Sequence, residues 1–278
     1  MDAPEDVRSA LRAAEAQFLG SGTFGETWQV RDPLGRNGQF ALKLLRPEHF
    51  DHRLLQREVE SLDQFDHPGI VKLHDVGTVE LKGEKRYALM CEYIAGGSVG
   101  QVLRAGRQPS PQDVETFALS LLRAVSELHS KEKIHRDIKP DNIMLRDGCW
   151  STPVLIDFGL SRSVSGGTMT VYPAKVGSLP WMSPEQLQGK KARKAADLWA
   201  CGVILYELLA GRHPFFGSLN LRDLDEDEIF DLVSVAPAGL HANVPTPLAV
   251  VVQRLVNPEA AGLRGSAQRA VRELEGER

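Results

Sequence analysis

His135-Arg136-Asp137-Ile138-Lys139-Pro140-Asp141-Asn142, followed downstream by Asp157-Phe158-Gly159, decides how this chain is read. Neither piece is a generic turn. Together they offer a carboxylate to accept a hydroxyl proton, a lysine beside it, and side-chain oxygens of Asn142 and Asp157 that suit a hard divalent cation. A set of this kind fits movement of a phosphoryl group onto a hydroxyl.

Working outward, Leu19-Gly20-Ser21-Gly22-Thr23-Phe24-Gly25-Glu26-Thr27 contains the spacing G-x-G-x-x-G. Glycines permit unusual backbone angles and let amides approach phosphate oxygens. Alone, such a string can equally be a plain hairpin. A dinucleotide-binding βαβ unit needs a helix to open at the glycines, whereas Glu26–Val30 reads as a strand. Phe40-Ala41-Leu42-Lys43 then places a lysine inside an apolar strand, which is costly unless its ammonium is paired.

The chain has 278 residues, enough for one large domain or two lobes. A net charge of −4 gives no argument for nucleic acid or an anionic membrane as partner. Cys91, Cys149 and Cys201 are scattered and odd in number, which fits free thiols and neither a disulfide frame nor a zinc site. The acidic N-terminus lacks an apolar signal core, and the apolar stretch Trp199–Ala210 is too short to span a bilayer. The expectation is a cytoplasmic protein.

Hydrophobic spacing predicts a short helix over Asp6–Gln17. Strands are expected at Phe18–Leu19, Thr27–Val30, Gln39–Leu45, Ile70–His74 and Tyr87–Cys91, with a helix over Leu54–Phe65. After Gly96-Gly97 the pattern turns helical: Pro111–Ser130, Pro184–Leu187, Ala195–Ala210, Glu226–Val235 and Pro247–Val256. The apolar stripes themselves are read as packing. The junction falls at 92–97, where a ligand cleft is expected between lobes.

In that order, these motifs resemble the eukaryotic-type, or Hanks-type, serine/threonine protein kinase family over about residues 16–275. The resemblance implies an α+β, two-lobed kinase fold, with a small antiparallel-sheet lobe carrying one helix and a larger, mainly helical lobe. The implied division is an N-terminal extension (1–15), an N-lobe (16–91), a hinge (92–97) and a C-lobe (98–278). It implies Asp137 as catalytic base, with Lys139 and Lys43 neutralising phosphoryl charge, and Asn142 and Asp157 as Mg²⁺ ligands. The implied ATP contacts are Gly20, Ser21, Gly22, Thr23, Phe24, Gly25, Thr27, Ala41, Lys43, Glu58, Cys91, Glu92, Ile94 and Met144. Among these, Glu58 pairs with Lys43, with Glu60 as runner-up. Glu92 and Ile94 meet adenine through the backbone, and Cys91 lies behind it. Thr27 stands where the family usually has valine. His135 belongs to the internal packing, and Asp197 anchors the catalytic loop.

Gly177-Ser178-Leu179-Pro180-Trp181-Met182-Ser183-Pro184-Glu185 resembles the segment that closes the peptide-substrate site. Ser178 is expected to bridge Asp137 and Lys139, and Glu185 to pair with Arg264. The segment argues for a protein substrate over a small molecule, with Ser/Thr as acceptor. The intact charged set argues against a nucleotide-binding pseudokinase scaffold. Thr170, and after it Thr168, are the expected phosphorylation sites, with Arg136, and after it Arg162, receiving the phosphate; Ala174 holds the place of the family's usual site.

Overall fold

The computed structural model describes residues 2–22, 25–46, 59, 64–157, 178–190 and 193–276. They fall into two compact units, the first ending at Ala95 and the second starting at Gly96.

The first unit holds helix α1 (Pro4–Leu11) and strands β1 (Glu15–Gly22), β2 (Gly25–Arg31), β3 (Gln39–Leu45), β4 (Leu73–Leu81) and β5 (Glu84–Glu92). The strands form one antiparallel sheet in the order β1-β2-β3-β5-β4. Successive strand side chains point to opposite faces, and this alternation separates core from site. Trp28, Val30, Phe40, Leu42, Leu44 and Met90 are buried in one cluster, which α1 covers with Val7 and Leu11. Thr27, Ala41 and Lys43 therefore take the other face.

Helix α1 is shorter than its spacing predicts. It stops at Leu11, with Arg12 in the left-handed region at φ 49. Residues 15–17 are strand because pairing with β2 satisfies their backbone, a long-range bond that local spacing does not encode. Asp2, almost wholly buried, accepts a bond from Arg86 at 2.6 Å and fixes the start of the helix to β5. Residues 4–11 are thus part of the first unit's core. The predicted helix over Leu54–Phe65 lies mostly outside the described residues. Val59, which is helical, packs on Leu45 and Leu89.

The second unit contains α2 (Val99–Arg104), α3 (Pro111–Ser130), a hairpin of β6 (Ile143–Leu145) and β7 (Pro153–Leu155), and then α4 (Pro184–Leu187), α5 (Lys194–Ala210), α6 (Glu226–Val233), α7 (Thr246–Leu255) and α8 (Ala267–Glu275). A helix apolar all round belongs in a core. In α5, every residue from Ala196 to Tyr206 is buried, and α3 and α7 pack on it. Helix α3 begins with a reciprocal cap. Asp113 N–H donates to Ser110 Oγ at 3.2 Å, and Ser110 N–H donates to the Asp113 carboxylate at 3.1 Å. At Gly96, φ is +116, and a Cβ would lie 2.1 Å from Gly148 N and 2.2 Å from Leu145 O. Only glycine lets the chain lie against the hairpin there. Leu145 N–H then donates to Gly97 O at 2.9 Å, fixing β6 and the loop before it.

Candidate active site

The loop between α3 and β6 carries Asp137, Lys139 and Asn142, and buried Asp197 of α5 holds its start. Asp197 Oδ2 accepts from His135 N at 2.9 Å, and Oδ1 from Arg136 N at 2.8 Å. His129 Nε2 lies 2.9 Å from Oδ2. These bonds stabilise an unusual backbone: Arg136 sits at φ 72, costly for a residue with a Cβ. His135 is fully buried, and burial holds its imidazole below the ordinary value although Asp197 and Asp137 pull the other way. Its neutral tautomer follows from its partners. Asp137 N–H points to Nδ1 at 3.4 Å, so the proton is on Nε2 and is donated to Ile156 O at 3.0 Å. His135 is a packing and orienting residue, as expected.

The bonds that follow converge on one carboxylate. Lys139 Nζ donates to Asp137 Oδ2 at 2.9 Å and to Ser178 Oγ at 3.0 Å. Ser178 Oγ–H donates to Asp137 Oδ1 at 2.8 Å. Asn142 Nδ2 donates to Asp137 O at 2.9 Å and to Oδ2 at 3.0 Å. The expected bridge by Ser178 is present. Asp137 is fixed in one orientation by three side chains, an arrangement able to align a hydroxyl and take its proton.

Asn142 commits its nitrogen to Asp137, so Oδ1 is the atom it can offer a cation. Ile156 N–H donates to Asn142 O at 3.0 Å, extending the β6–β7 ladder past Ile143 and Leu155. Asn142 and exposed Asp157 therefore lie at the same end of that hairpin. Asp157 takes the left-handed backbone, φ 61. Both residues supply oxygen, the donor for Mg²⁺, which usually takes only one or two protein ligands and completes its shell with water and phosphate. Among the described residues no cluster of three or more His, Cys, Asp or Glu could hold a metal. The oxygen pair fits a phosphate-bound cation better than a closed protein cage. Met144 is in β6 and bridges to Ser98.

In the first unit, Thr27 is opposite Lys43, Lys43 opposite Leu89, and Ala41 opposite Cys91. Directly opposed residues share a face, so Thr27, Ala41, Lys43 and Cys91 are gathered on the face away from α1. Glu92 N–H donates to Lys72 O at 2.9 Å, and Ile94 is buried. The three glycines separate in role. A Cβ at Gly25 would lie 1.9 Å from Leu44 O, so Gly25 is required by strand packing. Among the described residues, Cβ atoms at Gly20 or Gly22 would meet nothing within 4 Å, and Ser21 between them is exposed. Packing among the described residues does not demand those two glycines, and a glycine there lets a ligand approach the backbone. Thr23, Phe24, Glu58, Arg162, Thr168 and Thr170 lie outside the described residues.

Glu185 and Arg264 form the expected bidentate pair. Arg264 Nη1 donates to Oε1 at 2.6 Å and Nη2 to Oε2 at 3.1 Å. Arg264 has 0% exposure; it also bonds Asn257 O at 3.1 Å and Ala195 O at 3.2 Å, and lies 4.7 Å from the Trp199 ring centroid. Burial pushes the Glu185 carboxyl up, but the Arg264 bond and charge outweigh it and leave the group below its ordinary value. The sequence reading missed His213, whose ring bonds to Pro180 O. A lone histidine before Pro214 carries no motif that singles it out.

Residues 13–265 match the family model described as protein kinase domain. The chain belongs to the protein kinase family, of the serine/threonine type. It is 35% identical over 208 residues to a probable serine/threonine-protein kinase of Streptomyces coelicolor, covering 72% of this chain and 30% of that protein. It is 30% identical over 234 residues to the serine/threonine-protein kinase PrkC of Bacillus subtilis, covering 83% and 33%. With the serine/threonine-protein kinase PknB of Mycobacterium leprae the figure is 29% over 254 residues, covering 87% and 39%. The chain spans about a third of the length of these curated relatives. No described helix is long and apolar enough to cross a membrane.

Proposed function

We propose that this chain transfers the γ-phosphoryl group of ATP, bound with Mg²⁺, to Ser and Thr hydroxyls of proteins, its own included. The observation that carries this reading is the Asp137 carboxylate, oriented at once by Lys139, Asn142 and Ser178. Asp137 accepts the hydroxyl proton as the oxygen attacks phosphorus. Lys139, already at the carboxylate, stands ready to offset charge on the moving phosphoryl. Asn142 Oδ1 and Asp157 would hold the cation, which neutralises phosphate charge when bound. On the first unit, Lys43 with Glu58 orients phosphate, the amides of residues 20–25 cover it, and Thr27, Ala41 and the backbone of Glu92 and Ile94 receive adenine. Ser178–Glu185 borders the acceptor.

The relatives are named as serine/threonine kinases, and the Lys139-Pro140-Asp141-Asn142 loop supports the same acceptor class here. Thr170, then Thr168, are proposed as sites of self-modification, with Arg136 as the cation that gathers the phosphate. The test is incubation with γ-labelled ATP, Mg²⁺ and a mixed protein substrate, followed by phosphoamino-acid analysis and peptide mapping. Label on serine and threonine, including residues 163–172 of the chain, is expected. Absence of any protein-bound label overturns the reading.

A further inference from the structure

The turn that carries Ser178 is held from behind by one imidazole. Ser178 O accepts from Trp181 N at 3.2 Å and Leu179 O from Met182 N at 3.1 Å, so 178–182 is a single tight turn. Pro180 O instead reaches His213 Nε2 at 3.0 Å. The protonation of this ring is set by its other side. Nδ1 accepts from both Phe215 N and Phe216 N at 3.2 Å and therefore bears no proton, so Nε2–H is the donor to Pro180. The imidazole stacks on Phe216 at 4.6 Å, Phe215 stacks on Trp199 at 4.9 Å, and Leu179 and Trp181 pack against the same cluster. Two residues before Pro180, Ser178 Oγ is 2.8 Å from Asp137 and 3.0 Å from Lys139. A hollow lined by Asp137, Ser178, Trp181 and Met182 adjoins these groups.

We propose that His213 is a positioning residue for phosphoryl transfer: its hydrogen bond to Pro180 fixes the acceptor-side turn and so holds Ser178 on Asp137 and Lys139. This rests on the reading of Ser178–Glu185 as the border of the acceptor site. Loss of the bond lets the turn drift from the cluster of α5, and the Ser178 bonds lengthen with it. Acceptor use suffers, whereas ATP binding does not.

Two variants separate the bond from the packing. His213→Phe keeps a stacking ring and removes the N–H. His213→Gln restores an amide N–H at the reach of Nε2. A hydrogen bond of net worth about 1 kcal/mol corresponds to roughly fivefold in rate. In His213→Phe, kcat/KM for a peptide acceptor should fall about fivefold with KM for ATP unchanged, and His213→Gln should recover to within about twofold of wild type. Amide exchange at Trp181 and Met182 should quicken in the Phe variant only. A purely structural role would lower the folded fraction and both substrates' turnover together, in both variants. Unchanged peptide kinetics in His213→Phe, or equal loss in the two variants, overturns the proposal. If the wild-type chain labels no hydroxyl, the kinase reading has failed on its own. Exchange at Trp181 and Met182 then decides whether His213 holds the turn, and no change in the Phe variant refutes it.

Discussion

Arg264→Ala should be among the most damaging single changes outside the catalytic loop. The side chain has 0% exposure, its guanidinium donates to both oxygens of Glu185 and to two backbone carbonyls, and it stacks near Trp199. Alanine removes all of this and leaves Glu185 half-buried with no counter-charge. Breaking a buried pair from one side costs about 3–5 kcal/mol, or roughly 5–9 °C of Tm for a chain of this size. Lysine should rescue only in part, because it keeps charge without the planar fork. The pH dependence sharpens the test. The folded Glu185 lies below its ordinary value, so its pairing stabilises in full above that value and is lost as pH falls through the folded one. Without Arg264, burial alone raises the carboxyl, so the variant's deficit should shrink as acid protonates it. Denaturant melts of both forms at neutral and acid pH measure this. A neutral-pH loss under about 1 kcal/mol, or a deficit independent of pH, refutes the argument.

Asp197→Ala strips His135 N and Arg136 N of their acceptor and should cost about 3 kcal/mol, with activity falling further than the folded fraction measured by calorimetry. Gly96→Ala forces a Cβ into the backbone of Gly148 and Leu145, and should lower Tm by several degrees or abolish soluble expression. Burial brings His213 down to about 4. The unfolded chain therefore binds the extra proton first, and stability should fall as pH drops from about 6.5 towards 4, by about 3 kcal/mol from this group. A pH series of melts should show that slope in wild type and a shallower one in His213→Phe.

The parts most legible in the sequence are those whose chemistry needs several residues at fixed spacing. His135–Asn142, Ser178–Glu185 and Asp197 can be placed in advance through their resemblance to the kinase motifs and not through nearby partners, since the bonds that tie them down span 39 to 79 residues. The strand Gln39–Leu45 and helices Pro111–Ser130 and Pro184–Leu187 follow from apolar period and caps, and their bounds agree with the structure. Other elements carry weaker signals. Helix α8 has Ala267, Ala270, Val271 and Leu274 at helical spacing, but the stripe is a single short one, half of it alanine, in a segment otherwise charged; only Ala267 and Ala270 are buried, and Arg254–Glu273 and Arg123–Glu275 tie the helix down. Strands β6 and β7 have three residues each, too few for alternation to register. Helix α1 ends early because β1 takes its tail into a pairing set by β2. His213 acts through a carbonyl, which no side-chain motif reveals.

The most direct test of the account compares wild type with Asp137→Asn in γ-labelled ATP, Mg²⁺ and a Ser/Thr peptide, with nucleotide affinity measured on both. The amide keeps the shape and some of the hydrogen bonds of the carboxylate but cannot take the proton. Transfer should fall by about 10²–10⁴-fold, roughly 3–5 kcal/mol of barrier, while nucleotide affinity changes little. An Asn variant that transfers phosphate at most of the wild-type rate would contradict the assignment of Asp137 as the base.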